Sequence, residues 1–187
     1  MAQPMKGWFT MPGRDGDRTI EQQLLGLDWL LANCAGKSIL DAGCAEGLIS
    51  KALLDAGARR VHGVELREDA VKVACKVCAP HGMLANFTCA DLNGWRPPLG
   101  GYDIVIGLAI LHKVRDPSAL ALRLAMAAKS HVVFRLPPAT APVVVDARSG
   151  NKPHDIELVM DRLDFELVQA TCDGPFGEWV GRWERAA

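Results

Sequence analysis

The sequence predicts a doubly wound α/β fold: a mostly parallel sheet of seven strands, with an antiparallel C-terminal edge strand and helices on both faces. Short apolar runs alternate with amphipathic segments along most of the chain, which is the order of a parallel sheet with helical crossovers. The last two apolar runs are joined instead by the short turn DGPF, as in an antiparallel hairpin. A chain of 187 residues has the size of one domain with a substantial core.

Strands are expected where short apolar runs are bounded by turn-forming residues. These runs cover residues 38–42, 60–65, 84–89, 102–107, 130–135, 165–172 and 177–185. Helices are expected where apolar residues recur every three or four positions, at residues 20–33, 47–56, 68–79, 116–129 and 153–162. Several boundaries carry capping or stop signals: Thr19 with Gln22, Gly57 after the second helix, Pro80 after the third, and Asp116 before the fourth.

Charge and composition exclude several classes of protein. The net charge of −1 gives no footprint for non-specific nucleic-acid binding. No apolar stretch has the length of a membrane span, and the N-terminus lacks a signal-peptide core, so a cytoplasmic protein with no membrane association is expected. The six cysteines are expected to be reduced, and the Cys75 and Cys78 pair to pack on a helix rather than to bind a metal.

The turn GCAEG at residues 43–47 follows the strand SILDA and opens a helix. A phosphate-binding P-loop ending at GKS would need a glycine where Leu31 stands. A dinucleotide fingerprint starting at Gly43 would need glycines where Ala45 and Leu48 stand, which disfavours an NAD-dependent oxidoreductase. The turn is therefore expected to hold a different kind of ligand.

That ligand is expected to carry both an ammonium group and a carboxylate. Gly43 and Gly47 allow the backbone to approach a ligand closely, and the N-terminus of the following helix offers N–H groups to a carboxylate. Asp41 supplies negative charge for an ammonium group. Glu65 ends the next strand, where it can accept both hydroxyls of a ribose, and Asp91 follows the third strand, where it can meet an adenine amino group. The methionine end of S-adenosylmethionine fits this turn better than a pyrophosphate.

Four segments in this order, LDAGCAEG, VHGVEL, CADL and YDIVIGLAILHKV, resemble the class I S-adenosylmethionine-dependent methyltransferases over about residues 38–135. The resemblance implies a Rossmann-like methyltransferase that uses S-adenosylmethionine and releases S-adenosylhomocysteine. It implies that the methionine part lies at Asp41, Gly43, Cys44, Ala45 and Gly47, the ribose at Glu65, the adenine at Leu66, Asp91 and Leu92, and the sulfonium beside Gly107 and Leu108. The chain departs from the family at Ala45, where a glycine is often present.

On this interpretation residues 1–187 form a single methyltransferase domain with four parts. Residues 1–18 form an irregular arm that could close as a lid, and residues 19–36 form a leading helix. Residues 37–135 form the cofactor-binding core, and residues 136–187 form a substrate-side loop and the C-terminal strands. A lid would account for the apolar Trp8 and Phe9 within an otherwise polar arm.

The methyl acceptor is expected to be a small molecule, because no separate substrate domain is present. His112, just after the fourth strand, is the candidate general base, with a role only in packing as its alternative. Two rival functions stay open: a tRNA-nucleotide methyltransferase, and a non-catalytic partner subunit that keeps the fold. Oligomeric state is left open. An anionic acceptor could be held by basic residues near the strand ends, namely Arg14, Arg18, Arg135, Arg148 and Lys152.

Overall fold

A sheet of seven strands lies at the centre of the part of the chain that the computed structural model describes, which is residues 7–11, 16–137 and 153–186. Its strand order is β5-β4-β3-β6-β7-β9-β8. The strands are β3 (Ser38–Ala42), β4 (Arg60–Glu65), β5 (Ala85–Cys89), β6 (Tyr102–Leu108), β7 (Ala128–Leu136), β8 (Phe165–Thr171) and β9 (Trp179–Arg185). Strands β3 to β7 pair in parallel, and β9 is antiparallel to both β7 and β8. The predicted mostly parallel sheet of seven strands is therefore confirmed.

The C-terminal hairpin refines one detail of the predicted sheet. The C-terminal strand β9 is antiparallel as expected, but it lies one position inside the sheet, since β7 and β8 pair with its two sides. The outermost strand is β8, which therefore runs parallel to β7. Strand β9 rather than β8 pairs with β7, so β9 lies between two strands and its Trp183 is completely buried.

Helices cover both faces of the sheet, because successive side chains of each strand point to opposite sides. Val132 and Phe134 pack in one apolar cluster, whereas Val133 between them packs in the other. Residues of α5 (Pro117–Ala127) and α6 (Pro153–Asp161) join the first cluster, and residues of α3 (Leu48–Asp55) join the second. The remaining long helix is α4 (Glu68–Val77). No helix within the described ranges is long and apolar enough to cross a membrane.

The leading segment differs from the single helix predicted over 20–33. It forms two short helices, α1 (Ile20–Leu24) and α2 (Asp28–Asn33), because Gly26 between them has a φ of +75°. A left-handed residue ends a helix, and only glycine adopts that conformation without strain. The capping box at Thr19 and Gln22 is confirmed, since each side chain accepts a hydrogen bond from the backbone of the other residue.

The N-terminal arm was predicted to be irregular, but its described residues form two short paired strands, β1 (Gly7–Phe9) and β2 (Gly16–Arg18). Phe9 is buried in the same apolar cluster as α1 to α3. Its backbone N–H donates to Glu46 Oε2 at 3.3 Å. This contact ties the arm directly to the turn at residues 43–47.

Other predicted boundaries are accurate to within about two residues. Helix α3 begins after Gly47, and Gly57 has a φ of +91° just beyond its end, as predicted for a C′ glycine. Helix α4 ends at Val77 and is followed by a 3-10 helix that contains Pro80. Helix α5 ends before the predicted residue 129, because Ala128 already pairs with Tyr102 in the sheet.

Candidate functional site

The sheet reverses its strand order between β3 and β6, and a cleft of about 470 Å³ opens at the carboxyl ends of the strands there. Ligands of doubly wound folds bind at this switch point. The cleft is lined by Gly43, Ala45, Glu65, Leu66, Arg67, Ala70, Asp91, Leu92, Asn93, Leu108, Ala109, Ile110, Lys113, Val114 and Arg115. Residues predicted for the methionine, ribose, adenine and sulfonium parts of one ligand thus meet in one cleft.

A second groove, of about 570 Å³, lies beside the amino ends of β4 and β5 and includes Arg60, His62 and Tyr102. This groove lies away from the switch point, so the strand order gives no reason to expect a cofactor in the groove. His62 there is held by Tyr102 at 2.6 Å and Thr88 at 2.8 Å. These contacts form a structural network across the sheet face.

The turn at residues 43–47 forms one wall of the cleft. Gly43 has a φ of +82°, and its backbone N–H donates to Val64 O at 2.8 Å. Gly47 has a φ of +77°, and a Cβ atom there would lie 2.7 Å from the Cβ of Ala74 on α4. Gly47 is absent from the residues that line the cleft. Its glycine is therefore required by the backbone conformation and by the close approach of α4.

Glu65 is held at the end of β4 by two backbone donors. Ala45 N–H donates to its Oε2 at 3.1 Å, and Arg67 N–H donates to its Oε1 at 3.0 Å. Each carboxylate oxygen keeps a lone pair for a further donor. Two acceptors with fixed positions match the two hydroxyls of a ribose, which supports the role predicted for Glu65.

Asp91 lines the same cleft from the loop after β5, the strand next to β4, and its carboxylate is exposed. Hydrogen bonds from Asn93 hold the pKa of Asp91 below its usual value. The carboxylate therefore stays ionised at neutral pH and acts only as an acceptor. Leu92 beside it is 5 % exposed and lines the same cleft.

Asp41 does not line the cleft, in contrast to the prediction that it faces an ammonium group. Its side chain is buried and accepts a hydrogen bond from Ser50 Oγ at 2.7 Å. Burial raises the pKa of Asp41 to about 6, the Ser50 hydroxyl opposes this shift, and the charge of Glu65 adds to it. Because Ser50 lies on α3, this hydrogen bond joins the C-terminal part of β3 to α3.

Replacing Asp41 by Asn is expected to change how stability depends on pH. An unfolded aspartate has a pKa of about 3.9, so between about pH 4 and pH 6 the folded protein binds more protons through Asp41 than the unfolded chain does. This group therefore lowers the free energy of unfolding as pH rises through that window, by roughly 2 to 3 kcal/mol. Urea unfolding at several pH values should show the stability of Asp41→Asn relative to wild type increasing by that amount. If the stabilities of the variant and the wild type changed with pH in parallel, the raised pKa assigned to Asp41 would be wrong.

Cys44 and Gly107 also lie off the cleft. Cys44 is buried, and burial raises the pKa of its thiol well above the usual value. Its Sγ packs so close to Gly63 that a Cβ there would lie 2.7 Å away. A Cβ at Gly107 would lie 3.0 Å from the ring of Phe134. Cys44 therefore packs away from the cleft and Gly107 leaves room for the ring of Phe134, so any contact of either residue with a ligand would be through the backbone.

Ala45, where the family often has glycine, has a φ of +47°. Alanine in this region is strained by about 1 kcal/mol, which glycine would relieve. Part of this stabilisation is offset because glycine gives the unfolded chain more conformational entropy. Ala45→Gly is expected to raise the free energy of unfolding by about 0.5 kcal/mol. Ligand affinity should stay unchanged, since the donor to Glu65 is a backbone N–H. The matched change Ala52→Gly within α3 should instead lower stability by about 1 kcal/mol, and equal losses for both variants would contradict this account.

The segment after β6 forms the second wall of the cleft. His112 is half-buried in a 3-10 turn, Leu111–Lys113, and is not among the residues that line the cleft. Lys113, which directly follows, does line it. The preceding Ala109 has a φ of +56°, and its N–H donates to Arg135 O at 3.0 Å. A catalytic role for His112 stays a prediction.

Arg135 and Arg18 are engaged in structural contacts and do not face the cleft, in contrast to the prediction for anion binding. Arg135 is completely buried, and its guanidinium donates to Gln23 Oε1 at 3.0 Å. Both arginines form ion pairs with Glu178, at 2.9 Å from Arg18 and 3.7 Å from Arg135. The other three basic residues named for this role, Arg14, Arg148 and Lys152, lie outside the described residues.

Sequence reasoning missed two polar residues around the site. Glu46 is a buried carboxylate inside the turn that accepts from Phe9 N–H, and Asn93 contacts Asp91. An acid within a glycine-rich turn gives no sign of burial, because its partner lies 37 residues earlier in the chain. Asn93 could have been noticed, since an Asn two residues after an Asp is a common local hydrogen-bond pattern.

Comparisons with known proteins agree with this geometry. Residues 39–129 match the family model described as "Methyltransferase domain". The chain is 33% identical over 116 residues to a ubiquinone biosynthesis O-methyltransferase of Ralstonia nicotianae, covering 59% of this chain and 48% of the relative. It is 36% identical over 97 residues to the enzyme of that name from Idiomarina loihiensis, covering 50% and 39%. The chain thus spans about half or less of the length of these curated relatives.

A solved structure shares the fold. Magnesium protoporphyrin IX methyltransferase from Synechocystis PCC 6803, solved with bound S-adenosylmethionine, superposes with a TM-score of 0.71 at 24% identity, covering 89% of this chain and 80% of that one. The sheet order defines a Rossmann-like domain with a cleft at its switch point. Residues 39–129 are thus similar to a methyltransferase domain, and the described fold is the one found in an S-adenosylmethionine-dependent methyltransferase.

Proposed function

We propose that this protein is an S-adenosylmethionine-dependent methyltransferase that acts on a small molecule. The observation that carries the proposal is Glu65, whose carboxylate is fixed by Ala45 N–H and Arg67 N–H inside the cleft. Asp91 lies on the same cleft at the adenine position of the family pattern. A ligand with a ribose and an amino-bearing base would satisfy both acids.

The residues of the cleft fit S-adenosylmethionine by the chemistry of their donors and acceptors. The bound cofactor supplies an electrophilic methyl group on a sulfonium, so the protein chiefly has to bind and orient the reactants. Glu65 would hold the ribose, Leu66 and Leu92 the faces of the base, and Gly43 with Ala45 the methionine part. Leu108 would lie beside the sulfonium. His112 is proposed as a base for an acceptor that carries a proton.

Two kinds of observation support a small-molecule acceptor. The relatives are named for ubiquinone biosynthesis and for magnesium protoporphyrin IX. A net charge of −1 gives no general attraction for tRNA, which makes the tRNA-nucleotide methyltransferase the weaker alternative. We also propose that the protein is located in the cytoplasm and that its chain forms one methyltransferase domain. The contact of Phe9 with Glu46 supports an arm that belongs to the donor site.

Calorimetric titration of the protein with S-adenosylhomocysteine tests donor binding first. A dissociation constant in the micromolar range is expected, and the absence of binding would contradict the proposal. Transfer of labelled methyl groups from S-adenosylmethionine to phenolic or carboxylic small molecules, with tRNA as a parallel acceptor, then tests the acceptor class. Donor binding with transfer to tRNA alone would favour the RNA alternative, and donor binding with no transfer would favour a non-catalytic partner subunit.

A further inference from the structure

A chain of hydrogen bonds joins Asp91 to the segment after β6. Asp91 Oδ1 accepts from the backbone N–H of Asn93 at 2.9 Å and from Asn93 Nδ2 at 2.7 Å. Asn93 Oδ1 accepts from the backbone N–H of Arg115 at 2.9 Å. A backbone N–H can only donate, so the oxygen of the Asn93 amide must face Arg115. The nitrogen of that amide therefore faces Asp91, and its orientation is fixed.

This arrangement leaves the two oxygens of Asp91 unequal. Both contacts from Asn93 are made to Oδ1, and Oδ2 receives no hydrogen bond from the described part of the chain. The same contacts lower the pKa of Asp91, so the carboxylate presents an acceptor and no proton near neutral pH. A ligand atom next to Oδ2 must therefore be a donor.

We propose that Asn93 is a positioning residue that makes this cleft select a base with an exocyclic amino group over one with a keto oxygen at the same place. The inference rests on the proposed function, because it takes the base of the methyl donor as the ligand of Asp91. An amino group donates to Oδ2, whereas a keto oxygen would place two acceptors against each other. Asn93 holds Oδ1 so that Oδ2 stays turned to the ligand.

Asn93 has a second effect on the cleft through Arg115. Lys113, Val114 and Arg115 are consecutive residues of the second cleft wall, and the Asn93 carbonyl fixes the backbone of the last of them. Replacing Asn93 by Ala removes both contacts of its side chain and leaves the backbone N–H that donates to Asp91 Oδ1. Replacing it by Asp keeps a side-chain acceptor for Arg115 but removes the side-chain donor to Asp91 and adds a like charge. The two variants therefore separate orientation of Asp91 from support of the wall.

The test compares the dissociation constants of S-adenosylhomocysteine and S-inosylhomocysteine, which differ in an amino group and a keto oxygen. Calorimetry on wild type should give a preference for the adenosyl ligand of about 30-fold. Both Asn93→Ala and Asn93→Asp should reduce that preference to about threefold or less. The control Asn86→Ala, at an exposed asparagine on β5 outside this cleft, should keep the wild-type preference. Thermal unfolding of each variant checks that it is folded.

Each outcome bears on a different claim. Equal binding of the two ligands by wild type would overturn the inference while donor binding still stood. A full preference in folded Asn93→Ala and Asn93→Asp would show that Asn93 does not position Asp91, and would also overturn it. Absence of S-adenosylhomocysteine binding to wild type would instead contradict the proposed function itself. If Asn93→Ala does not fold, Asn93→Asp and the wild-type preference decide.

Discussion

Replacement of Glu65 by Ala is expected to weaken S-adenosylhomocysteine binding about 100-fold. The carboxylate would lose two charge-assisted hydrogen bonds to a ribose, which together correspond to roughly 2 to 3 kcal/mol in a partly exposed cleft. The change also leaves the backbone N–H groups of Ala45 and Arg67 without the carboxylate to which they donate in the wild-type protein. The turn beside the ligand would then lose its fixed position. Calorimetric titration of the variant and wild type measures the loss.

A matched control for this change is Glu68→Ala. Glu68 lies three residues later, at the start of α4, and forms an exposed ion pair with Lys72 at 2.7 Å. It does not line the cleft, so binding should stay within about twofold of wild type, as for most exposed pairs. A similar loss in both variants would mean that Glu65 acts only through general charge. No loss in Glu65→Ala would mean that the ribose is held elsewhere.

Replacement of Arg135 by Met is expected to lower the free energy of unfolding by about 3 to 5 kcal/mol. Its guanidinium is completely buried and donates to Gln23 Oε1, Gln23 O and Leu25 O at 2.7 to 3.0 Å. Burial lowers the pKa of Arg135 to about 10, so the group stays charged at neutral pH. Met would leave these carbonyl groups without a donor in a buried site. It would also remove one of the two cations beside Glu178.

The control for this change is Arg60→Met, on strand β4 of the same sheet. Arg60 is exposed and donates to Gly101 O at 3.3 Å, so its loss should cost about 0.5 kcal/mol or less. Urea unfolding of both variants measures the difference. A cost for Arg135→Met as small as that for Arg60→Met would show that the buried contacts contribute little net stability.

The strand pattern and the strand-end acids could be predicted because their signals are local. Most strands are short, mainly apolar runs; Glu65 ends one of them, and Asp91 comes two residues after the next. In a parallel sheet, residues after neighbouring strands meet at one edge. The sequence positions of these acids therefore predicted a common cleft, and both line it.

Other features depend on contacts that no local pattern carries. Arg135 meets Gln23 across 112 positions of the chain, so an arginine that looked available for an anion is used to join the leading segment to the sheet. Asp41 is acidic and lies one residue before the end of β3, much as Glu65 ends β4, yet it is buried against Ser50. What separates them is their partners, a hydroxyl of α3 for Asp41 and two backbone N–H groups at the cleft for Glu65, which the residue types alone do not reveal.

A crystal structure of the protein with S-adenosylhomocysteine would show whether the cleft at the switch point holds the methyl donor. We expect the ligand in the cleft between β3 and β6, with its two ribose hydroxyls on Glu65 Oε1 and Oε2. We also expect the adenine amino group on Asp91, with Asp41 still hydrogen bonded to Ser50. A ligand bound outside this cleft, or a ribose that makes no contact with Glu65, would show that the donor site has been assigned wrongly.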